Sequence, residues 1–374
     1  MTERKMISVF GCKTGQEEID NLTITINSQW LGLGSTVDEF EKKFKLKNNL
    51  SSFLMVDSGS NALLMAISLL KLPPQSEIIL PSYTWVSCAN AIMLAGHIPI
   101  FCDVDEFTMN VTKKDIESKI TSKTSAIMIV HYAGLPVDMD SIMSIGLPVI
   151  EDAAHAVFSK YKEQHCGNIS EVGIYSFDSV KNLTAGEGGG ISTKDSLLIN
   201  DAKKLRYCGI EKSGFQNAST KNKTSDLWWE YEIKKPFIKM LPSNVSASIA
   251  LAQLEKIDYL QNRREEIWKY YQAEFSNHKI IKKPIDPSDH EKHSYFTYCI
   301  KAEKRNELAR YLLENNIYTT LRYHPLHLYP IYNQESNKLT NTEKLNKTAL
   351  SIPIHPRLTD NEVSYIVDKI KSFY

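Results

Sequence analysis

Between residues 50 and 200 the sequence alternates short apolar runs with amphipathic stretches, and this alternation restricts the fold more than any other feature. Strands that alternate with helices are typical of a mostly parallel sheet with helices on both faces. The sequence predicts strands at residues 77–80, 98–104, 126–130, 148–151, 173–177 and 189–192. It predicts helices at residues 62–70, 85–95, 113–119 and 138–145. Because such sheets bind ligands at the carboxyl ends of their strands, functional side chains are expected there.

From residue 210 onward the pattern changes to a polar segment, a long helix and a smaller mixed region. Residues 210–243 are polar and then abruptly aromatic at LWWEYEI, which predicts a long loop or hinge. Residues 247–271 carry apolar residues every three or four positions and predict one helix. Beyond them the predicted strands are 295–300 and 318–323, and the predicted helices are 305–315 and 360–373. Since 374 residues exceed what one core usually fills, we predict a large domain at 1–245 and a small α+β domain at 246–374.

Lys181 lies in the run SFDSVKNLTAGEGGGIS, between a β-rich stretch and a cluster of glycines. By itself this position also fits an ordinary surface loop. Burial and a neighbouring cation each lower the pKa of an ammonium group, which frees the amine to attack a carbonyl. The glycines allow the backbone to approach a ligand closely. Ser176, at the start of the run, can donate its hydroxyl to a phosphate group.

Asp152 follows an apolar strand in PVIEDAAHA, at a carboxyl end where parallel sheets bind ligands. A carboxylate there can keep the ring nitrogen of a pyridine-type cofactor protonated, although strand-end aspartates also commonly cap helices. His155, three residues later, lies near the same face if the segment turns helical, and it can then contact a ring hydroxyl. A single histidine at such a position is more often structural.

The run DSGSNALLMAISLL places small polar residues, among them Ser60 and Asn61, at the start of an apolar helix. Backbone N–H groups and hydroxyls at a helix N-terminus bind anions, although capping alone also explains such residues. The spacing is that of neither a Walker P-loop nor a GxGxxG dinucleotide site, so a single phosphate is the better ligand. Trp85, just after PSYT, can stack on a flat ring or pack in the core.

Together these segments supply a Schiff-base lysine, a carboxylate for a ring nitrogen and a phosphate site. A protein needs these three to use pyridoxal 5'-phosphate, and we therefore predict that cofactor. Each segment has an ordinary structural explanation, and it is their combination that favours the cofactor.

Composition and cysteine usage exclude several classes of partner. Lysine plus arginine equals aspartate plus glutamate at 44 each, so the charge indicates neither nucleic acid nor an anionic membrane. Six scattered cysteines without a CxxC pair indicate neither a zinc site nor a disulfide framework, and we predict no metal. The N-terminus lacks the apolar segment of a signal peptide, and no apolar run of about 18 residues is present. A cytoplasmic protein is expected.

Several longer segments carry a family resemblance. They are WLGLGSTVDEFEKKF, SGSNALLMAI, PSYTWVSCANAIMLAGHIPIFCDVD, VHYAGLPVDMD, IEDAAHA, SFDSVKN with GEGGG, NVSASIALAQLEKID and YHPLHLYPIY. As a set they resemble the DegT/StrS-type aminotransferases, fold type I pyridoxal phosphate enzymes that act on nucleotide-linked keto-sugars. The resemblance implies an α/β fold with a mostly parallel seven-stranded sheet in the large domain and a smaller α+β C-terminal domain. The TWVS and VHYAG segments are most similar to enzymes that aminate UDP-linked 4-keto-sugars for deoxyaminosugar and surface polysaccharide biosynthesis.

By position, the resemblance implies that Lys181 holds the cofactor and acts as general acid and base, while Asp152 pairs with the ring nitrogen. It implies that His155 approaches the ring oxygen and that Trp85 stacks on the ring. The phosphate-binding residues that it implies are Ser60, Asn61 and Ser176. The family builds its active sites at a homodimer interface, and Lys239 stands where the partner subunit supplies a side chain.

Three departures from the family pattern concern the substrate. Asp178 stands where the family has histidine, FIKMLP replaces a GYNYRM-type loop, and Arg322 replaces the first histidine of HYxPxH, whose last histidine is His327. We expect Arg322 and His327 to bind substrate, with Arg322 and a lysine cluster holding a nucleotide diphosphate at the site mouth. The lysines are Lys234, Lys235 and Lys239, and the aromatic residues able to stack on the base or sugar are Trp228 and Trp229. The expected substrates are L-glutamate as amino donor and a UDP- or dTDP-linked 4-keto-hexose as acceptor.

Two alternative functions remain open. Transamination of a smaller polar or phosphorylated ketone, such as a keto-inositol, is compatible with the unusual FIKMLP loop. The second alternative is a non-catalytic version of the fold that binds an effector, as in regulators that fuse this fold to a DNA-binding head. Family-like sequence begins close to the N-terminus here and leaves no room for such a head. Related sugar dehydratases carry histidine in place of the lysine, so Lys181 argues against dehydration.

Overall fold

The fold is built around one large sheet with helices on both faces. The computed structural model describes residues 5–211, 227, 229–233, 235–334 and 337–374. In chain order the strands are β1 (Leu54–Val56), β2 (Glu77–Pro81), β3 (Ile98–Cys102), β4 (Thr124–Val130), β5 (Val149–Asp152), β6 (Lys160–Tyr161), β7 (Gln164–His165), β8 (Val172–Ser176), β9 (Gly189–Ser192), β10 (Glu291–Lys292), β11 (Tyr298–Lys301) and β12 (Ala349–Ile352). The described α-helices are α1 (Gln16–Asn27), α2 (Ser35–Lys47), α3 (Gly59–Leu69), α4 (Val86–Leu94), α5 (Lys113–Glu117), α6 (Met139–Met143), α7 (Ser196–Arg206), α8 (Asn244–Glu255), α9 (Ile257–Glu274), α10 (Arg305–Glu314), α11 (Thr340–Thr348) and α12 (Asp360–Phe373).

The main sheet has seven strands in the order β1-β9-β8-β5-β4-β2-β3. The strands β3, β2, β4, β5 and β8 are parallel, whereas β9 runs antiparallel to both of its neighbours, β1 and β8. The predicted α/β fold with a mostly parallel seven-stranded sheet is therefore confirmed. Because the parallel strands end at one edge, Asp152 at the end of β5 lies next to the last residues of β8, which ends at Ser176.

Two of the apolar clusters pack on opposite faces of the sheet, between the sheet and its helices. Successive side chains of a strand point to opposite faces, so β8 sends Ile174 into one cluster and Tyr175 into the other. In the first cluster Leu63 of α3 and Ile92 of α4 cover the sheet. In the second, Phe44 of α2 packs on Tyr175 with 5.2 Å between the ring centroids. Each such fully buried side chain stabilises the fold by about 1.5–3 kcal/mol, which fixes the strand ends in place.

Glu151 of β5 is a buried carboxylate on the sheet face opposite to that of Asp152. It accepts hydrogen bonds at 2.7 Å from three backbone N–H groups of the 167–170 loop. His131 donates a further bond at 3.1 Å from Nε2, because its Nδ1 accepts the N–H of Val137. Burial by itself opposes ionisation, but His131 and the backbone donors hold the pKa of Glu151 below its ordinary value. The charged carboxylate thus anchors this loop beneath β5.

The predicted helix at 247–271 is two helices in the structure, α8 and α9, which meet at Lys256. Lys256 has φ −101° and ψ 13°, and its ammonium group lies 2.7 Å from Glu18 of α1. Both helices bury an apolar face, α8 against α1 and α2 and α9 against the C-terminal part. The apolar period therefore continues across the break at Lys256, and the sequence periodicity alone does not reveal that the helix is interrupted there.

The C-terminal part has its own apolar core, which includes Trp268 and Tyr298. It contains the antiparallel pair β11–β12 and packs α9, α10 and α12 around it. The helix α8 packs in the same apolar cluster as α2, and this cluster gives way to the C-terminal core within α9. The predicted domain boundary at 245 lies at the start of α8. Residues 318–323, predicted as a strand, instead make a bridge from Thr320 to Ser351.

Candidate active site

A cavity of about 290 Å³ opens at the carboxyl ends of β5 and β8. Its walls include these predicted site residues: Ser60, Trp85, Asp152, His155, Ser176, Lys181 and Arg322. Other wall residues are Phe10, Ser58, Gly59, Ser87, Asp178, Glu187 and Tyr323. The fold thus gathers most of the predicted site from distant parts of the sequence into one place.

Lys181 lies in the loop after β8, where its backbone N–H donates to the carbonyl of Asp178 at 2.9 Å. Its Nζ is 4.8 Å from the centroid of the Phe296 ring. Burial, followed by the charge of Arg322, lowers the pKa of the Lys181 ammonium group to about 8. The free amine is therefore far more available near neutral pH than that of an ordinary lysine, as attack on a carbonyl requires.

Asp152 ends β5 with its carboxylate buried in the cavity wall. One oxygen, Oδ1, accepts the backbone N–H of Ala154 at 2.9 Å, and Oδ2 accepts the thiol of Cys88 at 3.2 Å. Burial raises the pKa of Asp152, and the two hydrogen bonds and the charge of Lys181 offset only part of this effect. A cationic N–H group placed against the carboxylate would stabilise its charged form. The position therefore suits a protonated ring nitrogen.

His155 forms the neighbouring part of the wall and is held by aromatic residues. Its ring stacks on Phe296 with 4.1 Å between centroids, and its Nε2 lies 2.9 Å from the hydroxyl of Tyr323. Burial, then the charges of Lys181 and Arg322, holds the pKa of His155 well below its usual value, so the imidazole is neutral. Its buried Nδ1 has no hydrogen-bond partner. Buried polar atoms are normally bonded, so this nitrogen suits a ligand atom that completes its bonding.

The N-terminus of α3 approaches the end of β8 closely. Ser58 is the N-cap residue, and its hydroxyl accepts a first-turn backbone N–H at 3.2 Å. A side chain does not fit at Gly59, because a Cβ there would lie 2.7 Å from the Cβ of Ser176. The hydroxyls of Ser60 and Ser87, also in the cavity wall, are 2.8 Å apart. N–H groups without helical partners and nearby hydroxyls make this turn an anion site.

Arg322 is buried in the cavity wall, and not at the mouth of the site where it was expected. Its Cζ lies 4.7 Å from the centroid of the Phe10 ring and 4.5 Å from that of Phe296. Phe296 also contacts Lys181, so the two cations share one aromatic neighbour. Neither phenylalanine is predictable from the sequence, because each is a single aromatic residue outside any motif that we recognised.

Comparison with known proteins agrees with this geometry. The chain matches the DegT/DnrJ/EryC1/StrS aminotransferase family over residues 13–371. It belongs to this family. The predicted family membership and aminotransferase activity are thereby confirmed.

Relatives of this aminotransferase include proteins with sugar-related names. The dTDP-4-dehydro-2,3,6-trideoxy-D-glucose 4-aminotransferase of Saccharopolyspora spinosa is 34% identical, over 98% of this chain and 96% of its own. The spore coat polysaccharide biosynthesis protein SpsC of Bacillus subtilis is 33% identical, over 96% of this chain and 94% of its own. Among solved structures, Spr1654 of Streptococcus pneumoniae in its PLP form has a TM-score of 0.88 at 26% identity, covering 98% of both chains.

Aminotransferases of this family depend on pyridoxal 5'-phosphate, so the predicted cofactor is confirmed, and the wall of the cavity fits it. Lys181 offers a free amine and Asp152 a buried carboxylate. The first turn of α3 offers a phosphate site beside Ser176, and His155 offers an unpartnered nitrogen for a ring hydroxyl. When bound, this cofactor acts as an electron sink that stabilises negative charge on the substrate carbon next to the transferred nitrogen. The individual residue contacts to the cofactor remain predictions.

Trp85 borders the cavity with 55% of its surface exposed, which excludes the alternative that it is a core aromatic residue. Its ring centroid lies 5.6 Å from that of Tyr323 at an angle of 51°. An exposed indole at the cavity edge leaves a face against which a flat ring can bind. The predicted stacking of Trp85 on the cofactor is compatible with this position.

Asn61 and His327 are not among the residues that line the cavity. The amide of Asn61 donates to both carboxylate oxygens of Asp57, at 2.9 and 3.0 Å. His327 is fully buried, with its Nδ1 2.7 Å from the hydroxyl of Ser82, just after β2. These local partners orient both side chains within the protein, and the predicted roles of Asn61 toward the cofactor and of His327 toward the substrate remain predictions.

Lys239 is exposed and does not line the cavity of its own chain. Its backbone forms an antiparallel β-bridge with Tyr207. Its predicted role requires a partner subunit and remains a prediction. Trp229 and Lys235 are also exposed. Trp228 and Lys234 lie outside the described residues.

The described part of the aminotransferase contains neither a metal-binding cluster nor a membrane-spanning helix. No three side chains of His, Cys, Asp or Glu come together there in a way that could hold a metal ion. None of the described helices combines the length and the apolar character that crossing a membrane requires.

Proposed function

We propose that the protein uses pyridoxal phosphate to move an amino group from L-glutamate to the keto group of a nucleotide-linked sugar. The observation that carries this proposal is the single cavity in which Lys181, Asp152 and the N-terminus of α3 meet. In this proposal Lys181 holds the cofactor between turnovers and moves the proton at the reacting carbon. Asp152 keeps the ring nitrogen protonated, and the first turn of α3 with Ser176 binds the phosphate.

A sugar acceptor is supported by the relatives and by the charge of the cavity. The S. spinosa relative is named for a dTDP-linked keto-sugar and SpsC for polysaccharide biosynthesis. Asp178 and Glu187 line the same cavity as Lys181, and their carboxylates can accept hydrogen bonds from sugar hydroxyls. We therefore propose a UDP- or dTDP-linked 4-keto-hexose, for deoxyaminosugar or surface polysaccharide synthesis.

We also propose a homodimer in which each site receives Lys239 from the other subunit. Lys239 is exposed and does not line the cavity of its own chain, and Ile238 beside it is 52% exposed. Trp30 and Leu31 are exposed near the start of α8, where Asn244 binds their backbone carbonyls. Large exposed apolar side chains on both sides of the start of α8 support an interface there.

A cytoplasmic location is part of this proposal. All six cysteines are free thiols, which supports a reducing compartment.

The acceptor is tested by incubating the purified protein with pyridoxal phosphate, L-glutamate and a panel of keto-sugar nucleotides, with products read by mass spectrometry. We expect a mass change from carbonyl to amine on a 4-keto nucleotide sugar. The panel includes 3-keto sugars, a keto-inositol and small phosphorylated ketones. Amination of one of these in preference to every 4-keto sugar nucleotide would contradict the proposed acceptor.

The shared site is tested by mixing two inactive variants, Lys181→Ala and Lys239→Ala, under conditions that exchange subunits. Each hybrid dimer then contains one site with both lysines, so activity should return on mixing. A Lys239→Ala protein with full activity, or a wild-type protein that is active as a monomer in light scattering, would rule out this arrangement.

A further inference from the structure

Arg322 is a buried cation whose charge no described carboxylate balances. It is 6% exposed, and its Nε has no hydrogen-bond partner. Asp152 and Asp178 share the cavity with it, yet neither they nor any other described carboxylate lies within ion-pair distance of its guanidinium group. Phe10 and Phe296 contact it through their rings, which stabilise the cation but leave its Nε–H group without a hydrogen-bond acceptor.

A guanidinium group in this state is a prepared anion site. Arginine carries five N–H donors in a planar fork that matches the two oxygens of a carboxylate. The two aromatic rings at 4.5 and 4.7 Å restrict the side chain, so little rotational freedom is left to lose when an anion binds. Folding has already removed the guanidinium group of Arg322 from water, which is unfavourable for an unpaired charge. A bound anion would pair with this charge and so stabilise the buried arginine.

The position of Arg322 beside the lysine decides which anion it suits. Lys181 Nζ and Arg322 Cζ lie 4.8 and 4.5 Å from the centroid of the same Phe296 ring. An amino acid carries its carboxylate on the carbon that bears the reacting amine, so its carboxylate stays close to the lysine. The diphosphate of a nucleotide sugar is separated from C4 by the sugar ring, so it lies farther from the lysine. Arg322 therefore suits the donor better than the nucleotide.

We propose that Arg322 binds the α-carboxylate of the amino-acid donor and so orients its amine toward the Lys181 end of the cavity. This inference rests on the proposed aminotransferase function and adds the donor-binding residue to it. It also replaces the expectation that Arg322 holds the nucleotide diphosphate. Phe10 and Phe296 are then positioning residues, which hold the guanidinium group between them.

The test is the donor half-reaction of the holoenzyme, in which L-glutamate gives its amine to the cofactor aldehyde and leaves as 2-oxoglutarate. Arg322→Gln should lower the second-order rate constant for glutamate roughly 100-fold or more, because a buried charge pair is lost. Arg322→Lys keeps the charge without the fork and should lose less. Arg357→Gln removes the same charge from an exposed position outside the cavity and serves as the matched control, with an unchanged rate.

Glutarate, which carries carboxylates but no amine, supplies a readout without turnover. It should bind the wild-type holoenzyme in calorimetry, compete with glutamate in steady-state kinetics, and bind Arg322→Gln with a similarly reduced affinity. Thermal unfolding and cofactor content show whether each variant is folded. If Arg322→Gln does not fold, the wild-type competition and Arg322→Lys still decide the matter. Glutarate that fails to compete with glutamate in the wild-type enzyme would overturn the proposal.

The acceptor side separates this inference from the proposed function. A variant that keeps the wild-type donor half-reaction but has a raised Michaelis constant for the nucleotide sugar would place Arg322 on the nucleotide and overturn the inference. The donor half-reaction needs no sugar. A wild-type enzyme that accepts an amine from glutamate but aminates no sugar would refute the proposed acceptor and leave the Arg322 test intact.

Discussion

Replacing Gly59 with alanine should loosen the phosphate end of the site, because the first turn of α3 touches the end of β8 there. The new Cβ would lie 2.7 Å from the Cβ of Ser176, 2.9 Å from its Oγ and 3.3 Å from its Cα. A Cβ cannot rotate away as the end of a long side chain can. Ser176 is also held by its pairing with Gly189 of β9, so we expect the start of α3 to move.

Overpacking of this kind costs about 1–3 kcal/mol of unfolding free energy. The displaced N–H groups would also lose their alignment on a phosphate, and we expect cofactor affinity to fall roughly 10- to 100-fold, since each tenfold corresponds to about 1.4 kcal/mol. Denaturant unfolding of the cofactor-free protein measures the first effect. Fluorescence titration with pyridoxal phosphate measures the second.

Two comparisons make the Gly59 test specific. Gly32→Ala is the matched control, because no atom lies within 4 Å of a Cβ at Gly32 and it should behave like the wild type. The double variant Gly59→Ala/Ser176→Gly removes the clashing atoms and should recover unfolding free energy relative to Gly59→Ala. A Gly59→Ala protein that unfolds at the wild-type denaturant midpoint and binds the cofactor normally would refute the close contact and the phosphate site built on it.

Three further predictions concern the lysine and the carboxylate. Lys181→Ala should lose the covalently held cofactor, and borohydride reduction of the wild type should label Lys181; label on another lysine in peptide mapping would reassign the role. Asp152→Asn should fold but lose most transamination, because an amide cannot keep the ring nitrogen protonated; a rate close to wild type would leave Asp152 as a structural residue. The pKa of Lys181 is lowered to about 8, so its amine is mostly protonated below that pH and mostly free above it. Cofactor capture by the cofactor-free protein should thus accelerate as the pH rises through about 8, and a midpoint at the ordinary lysine value of about 10.4 would contradict the lowered pKa.

The sequence predicts the parts of the site that follow a regular element, and it does so for a physical reason. Asp152 and Ser176 each end a buried strand, and parallel strands end at one edge of a sheet, so their meeting follows from the strand pattern. The strands themselves are fully buried apolar runs, which the hydrophobic pattern reveals. Lys181 follows the same strand as Ser176, and its place in the cavity wall follows too.

Residues whose contacts come from distant segments are beyond such reasoning. Phe10 and Phe296 meet Arg322 only through the tertiary packing of the chain, and no spacing indicates it. The direction of a side chain is equally hidden, since Asn61 turns to Asp57 one helical turn away. The break between α8 and α9 is a third case, because both helices bury an apolar face and the period passes through it.

The neighbouring carboxylates of β5 make the length of this strand more critical than its composition. Glu151 ties down the 167–170 loop on one face, while Asp152 lines the cavity on the other. Inserting or deleting one residue within β5 would exchange their faces, because the side-chain period of a strand is two. The 167–170 loop would then lose its hydrogen bonds to Glu151, and Asp152 would no longer face the cavity. One change in chain length would therefore disrupt both the fold and the chemistry. Selection should therefore tolerate conservative apolar exchanges in β5 and reject any change in its residue count.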